Sequence, residues 1–187
     1  MSQNTQARTV ATANRSGLDI RSLVLLAILL AAGFILNFTV GKAISAMSAG
    51  MISPEFIISA FCLTILVIRP NVGRALVIGL ISAAVIQLTT TSPFIDFAAE
   101  GISAMVMALI VRAGMRGAAA KVTPLLGTFV TTLLSGVIFM LIKMAMVGAA
   151  AELAAAMLPV VFATAVFNAI LVQALYLPIK KALKIEE

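Results

Sequence analysis

Long apolar stretches broken by short polar or proline-bearing segments dominate the sequence. The first apolar run covers residues 23–40. A second begins near Met51 and stops at Arg69-Pro70, where the residue before proline is pushed out of helical geometry. A third, residues 75–90, closes in the cluster Thr89-Thr90-Thr91-Ser92-Pro93, a turn signal. The remaining runs are residues 97–111, 122–147 and 154–177. A bilayer core about 30 Å thick asks for roughly 20 mostly apolar residues per helix, and these runs approach that length. They are continuous and do not alternate, which favours helices over the strands of a barrel, the other structure that satisfies its backbone in lipid. The pattern predicts an all-α membrane protein of six transmembrane helices: a polar, basic segment 1–21, a transmembrane domain 22–179 and a short tail 180–187. The first run is too long for the core of a secretion signal and is followed by further spans, so it reads as a retained helix.

Composition agrees with this, since 62% hydrophobic and 11% charged residues in a chain of 187 carry more apolar surface than a water-soluble domain hides. The charges also have a pattern. Arg8, Arg15 and Arg21 precede the first run, Arg69 and Arg74 follow the second, Arg112, Arg116 and Lys121 follow the fourth, and Lys180, Lys181 and Lys184 lie in the tail. The alternate connections hold Lys42 as their one cation, with the acids Asp96, Glu100 and Glu152. Positive residues collect on the cytoplasmic side, so both termini are expected inside a prokaryotic cell membrane. The net charge of +6 is then a topology signal before it is a nucleic-acid patch.

Several chemistries are disfavoured. Cys62 is the only cysteine and sits in an apolar run, so no intramolecular disulfide exists. With no histidine, the commonest metal ligand and proton-relay group is missing. No nucleophile or metal set has recognisable spacing, which reads against an enzyme and implies no cofactor. There is no G-x-x-x-x-G-K-[ST] loop, so ATP-driven transport would need another polypeptide to hydrolyse the nucleotide.

Polar groups inside apolar runs are costly there and usually face protein or water. Lys143, late in the fifth run, either snorkels to the outer interface or meets a ligand carboxylate. Glu55 opens the second run after Pro54, where the helix macrodipole favours an acid. Asn37, Thr89, Thr90, Asp96 and Glu100 fall at the same outer level. Asn168, with Thr164 one turn earlier on the same face, and Gln87 either lock the bundle by interhelical hydrogen bonds or touch a ligand. Glu55 and Lys143 would suit the two ends of a zwitterion, and Phe34, Phe38, Phe56, Phe94 and Phe97 would line an aromatic pocket or face lipid. The segment 41–50, rich in Gly, Ser and Ala, reads as a flexible outer loop suited to a lid. Ala27 and Ala31, four apart, form a small-residue stripe that admits a neighbouring helix.

Together these features resemble the substrate-binding membrane subunit (S component) of energy-coupling factor transporters, six-helix proteins of similar size with both ends cytoplasmic. Within that group the chain is most similar to the tryptophan-transporter (TrpP-like) family. The resemblance is carried by Ala27 and Ala31, Pro54-Glu55, the stretch from Gly79 to Thr90, Leu134-Ser135-Gly136, Leu158-Pro159, Ala165, Asn168 and Tyr176-Leu177-Pro178. Lys143 has no counterpart in the family pattern, and the segment from Phe94 to Glu100 is shorter than that pattern. The resemblance implies a subunit that captures a small solute from outside, tryptophan or another aromatic amino acid. It also implies docking through Ala27 and Ala31 on a transmembrane coupling subunit with two ATPases, and release of solute inward by reorienting. A vitamin-like solute and a small carrier driven by an ion gradient are the alternatives.

Overall fold

A computed structural model describes residues 19–90, 92–148 and 150–183; Arg8, Arg15, Thr91 and Lys184 lie outside them. The described residues are helical with no strand, in the order α1 (Ile20–Leu36), a π-helical turn (Asn37–Gly41), α2 (Lys42–Met47), α3 (Phe56–Ile68), α4 (Val72–Ile86), α5 (Ile95–Gly114), a 3-10 turn (Gly117–Lys121), α6 (Thr123–Val147) and α7 (Ala150–Ala182). Four helical stretches are long and apolar enough to cross a membrane: Ile20–Met47, Ile95–Gly114, Thr123–Val147 and Glu152–Ala182. Phe56–Ile68 and Val72–Ile86 are apolar but shorter.

The sharpest departure from the sequence reading is at segment 41–50. It is not a loop, because α1 runs through the π-helical turn into α2, and only Ser48, Ala49 and Gly50 form a turn. The helix runs to Met47, and the turn after it places Ala49 (φ 50°) and Gly50 (φ 81°) in the left-handed region, which suits glycine. The helix ends then follow local chemistry. Arg69 closes α3 in the left-handed region (φ 52°), and Pro70 follows. The Asn71 side chain caps α4 by accepting the Arg74 amide at 2.9 Å. Pro124 sits in the first turn of α6, where its missing N–H costs no helical bond.

α3 is the centre of the bundle. Every residue from Phe56 to Leu66 is buried, as expected of a helix apolar on all sides. α1, α4, α5, α6 and α7 all contact it. α1 turns Leu26, Leu30 and Gly33 inward, while Ala27, Ile28, Ala31 and Ile35 face outward. Large exposed apolar side chains such as Leu126, Val130 and Leu141 on α6 and Phe162 and Ile170 on α7 give the bundle an exterior suited to lipid.

Two close approaches set the walls of what lies inside. A Cβ on Gly79 of α4 would stand 2.5 Å from the Glu100 carbonyl oxygen and 2.8 Å from the Ala104 Cβ of α5. A Cβ on Gly136 of α6 would stand 2.6 Å from the Val161 side chain of α7. Glycine lets each pair of backbones approach that closely.

Candidate functional site

The end of the bundle where α1 finishes, α3 begins, α4 finishes and α5 begins encloses a cavity of about 390 Å³. That volume is in the range of small-molecule sites. α1 contributes Asn37 through its π-helical turn, a distortion that recurs at functional positions. The extended segment before α3 contributes Ser53 and Glu55, and Thr89 and Thr90 follow α4. α5 adds Asp96 and Glu100. From α6 come Thr132, Ser135, Gly136 and Phe139, and α7 completes the wall with residues such as Val160, Val161 and Thr164.

Non-helical backbone inside an apolar bundle must find partners. Residues 53–56 find theirs on two helices. The Thr164 hydroxyl donates to the Ser53 carbonyl at 2.9 Å, and the Asn168 amide donates to the Glu55 carbonyl at 3.2 Å. From α1, the Asn37 side-chain oxygen accepts the Phe56 N–H at 2.8 Å, and its amide lies 3.5 Å from Glu55 Oε2. α7 and the π-helical turn thus hold Glu55 at the cavity wall. Across the cavity, Ser135 Oγ donates to Glu100 Oε1 at 2.8 Å. Glu100 is only 3% exposed, and its Oε2 is buried with no hydrogen-bond partner. Thr132 Oγ1 is likewise buried without a partner. Gln87 braces the α4–α5 connection, donating to Asp96 Oδ2 at 3.1 Å and accepting the Phe94 N–H at 2.9 Å.

Comparison with known proteins finds no matching family model, no matching curated protein and no matching solved structure. The geometry alone carries the assignment of roles.

Of the residues singled out from sequence, Asn37, Glu55, Thr89, Thr90 and Glu100 line the cavity together. Gln87 and Asn168 do not line it; their hydrogen bonds hold residues that do. Lys143 is outside the lining too, with its ammonium 5.6 Å from the Phe139 ring centroid. The pairing of Glu55 with Lys143 around one ligand is therefore not what the structure shows. Lys143 stands one turn beyond Phe139, toward the end of α6, and packs on that ring instead of turning inward. The five candidate phenylalanines are absent from the lining as well: Phe34 packs on Phe38, Phe56 on Phe167 and Phe94 on Phe97. The aromatic ring of the cavity is Phe139.

Phe139 and Thr132 were not singled out from sequence, although a signal existed. Thr128, Thr132, Ser135 and Phe139 recur at spacings of three and four along an otherwise apolar helix, which puts them on one face. At the other end of the bundle, Arg69, Arg112 and Arg116 surround a second hollow. Gln173 of α7 joins the start of α6 there, accepting the Leu125 N–H at 3.0 Å and donating to the Lys121 carbonyl at 3.1 Å. Arg69, Arg112 and Arg116 thus lie at the end opposite the acid-lined cavity.

Proposed function

We propose that this chain is the solute-binding membrane subunit of an importer, of the S-component type, and that the cavity holds a small solute, tryptophan or another aromatic amino acid. The observation that carries the reading is the cavity itself: about 390 Å³, built by all the long helices, with a wall that combines hydroxyls and carboxylates with Phe139, Val160 and Val161. In this reading the chain crosses a prokaryotic cell membrane six times, with both termini inside and the cavity open to the outside. The arginine-rich end supports that orientation. The short α3, about 20 Å at 1.5 Å per residue, completes its crossing with the extended residues 52–55, which add about 13 Å.

The exposed Ala27 and Ala31 offer a low, smooth strip on which a coupling subunit docks, and two ATPase subunits supply the energy. In this reading the solute leaves unaltered.

Titration of purified protein with tryptophan, other amino acids and vitamins tests the reading. A saturable thermal shift with one member is expected, and it should disappear in Thr132→Trp, which fills the cavity. Ala27→Trp and Ala31→Trp should keep that binding and lose cellular uptake. Absence of a shift with every member contradicts the binding role; unaltered uptake in both alanine variants contradicts the docking strip.

A further inference from the structure

The ionisable side chains around the cavity are unbalanced. Glu55, Asp96 and Glu100 line it, and no lysine or arginine does. Neither Lys42 nor Lys143 is in the lining: Lys42 lies 4.4 Å from the Phe38 ring centroid, and Lys143 5.6 Å from that of Phe139, itself a lining residue. A carboxylate accepts about four hydrogen bonds. Here the side-chain partners are few and neutral: Asn37 for Glu55, Thr90 and Gln87 for Asp96 and Ser135 for Glu100. Glu100 Oε2, in a residue 3% exposed that lines the cavity, has none. A buried acceptor left without a donor is costly, and a ligand that supplies N–H groups and positive charge relieves that cost.

The acids do not converge tightly enough to hold a metal ion: among the described residues no group of three or more Asp, Glu, Cys or His has that arrangement. The rest of the wall combines neutral polar groups, such as Asn37, Thr89 and Thr132, with apolar ones, among them Ile58, Ile86, Phe139 and Val160. A charge-bearing nitrogen attached to an apolar body matches both parts. We infer that this cavity selects an organic cation, an amine with an apolar body, that the ammonium is received by Glu100 and Glu55, and that a carboxylate on the solute adds nothing to binding.

This rests on the solute-binding role proposed above and narrows its chemistry. The test is a series sharing one ring system and differing in charge: tryptamine, tryptophan, the neutral alcohol tryptophol and indole-3-propionate, each titrated into the full-length protein in detergent. The amine is expected to bind at least as tightly as the amino acid and tenfold or more tighter than the acid. Tryptophan binding tenfold or more tighter than tryptamine, or the acid matching the amine, overturns the inference and leaves the solute-binding role standing. Failure of all four to bind overturns the aromatic-solute reading and this inference with it. In Glu100→Gln and Glu55→Gln the amine should weaken tenfold or more while the alcohol is unaffected; equal losses for amine and alcohol also overturn the charge selection. The ligand series on the native chain decides even if one variant does not fold.

Discussion

Glu100 shows how a single residue's surroundings give it a role. A carboxyl group in the second turn of a helix long and apolar enough to cross a membrane is tolerated because Ser135 donates to one oxygen while the other is left for what enters the cavity. Removing Ser135 leaves the first oxygen unpartnered as well. Ser135→Ala should therefore destabilise the protein, and a double-mutant cycle with Glu100→Gln, read from denaturation in micelles, should give a coupling of about 1–3 kcal/mol. A coupling near zero would show that the contact carries no energy. Residue-scale reading of the sequence found the acids because charge is conspicuous in an apolar run. It missed Thr132 and Phe139, which are unremarkable in composition and become lining residues only through the face that α6 turns inward. Lys143 was conspicuous for the same reason as the acids, yet it is not in the lining, and its ammonium lies 5.6 Å from the Phe139 ring centroid.

Among the elements, the extended segment before α3 matters most. Its backbone is held by Thr164 and Asn168 from α7 and by Asn37 from α1, so Glu55 is positioned from two directions. Loosening those bonds should disturb binding without touching a lining carboxylate. Asn168→Ala, outside the lining, is expected to cost about 0.5–1.5 kcal/mol of stability, to speed hydrogen exchange at the Phe56 amide and to weaken solute binding. Unaltered exchange at Phe56 would mean that the clamp is not what holds the segment. Helix positions were legible from the apolar runs, since length and continuity decide them. Their ends were less so. α1 continues past residue 40 because Lys42–Met47 contains no residue that stops a helix, and the π-helical turn that presents Asn37 has no signature in the pattern of apolar and polar residues.

On the scale of the whole molecule, the bundle separates two kinds of charge. The arginines of the α3–α4 and α5–α6 connections gather at one end, and the acids of the cavity lie at the other. The alternation of basic and acidic connections foretold this separation, because successive antiparallel helices bring every second connection to the same side. What the sequence left open was depth, since α3 and α4 are too short as helices to span about 30 Å. The account as a whole stands on an acid-lined cavity that opens to the outside, opposite the arginines. Thiol labelling in intact cells tests that most directly, with the buried Cys62 replaced by alanine and single cysteines introduced as Thr89→Cys or Arg112→Cys. An impermeant maleimide should modify the first from outside and the second only after the membrane is permeabilised. Modification of Arg112→Cys in intact cells, with Thr89→Cys protected until lysis, would contradict it.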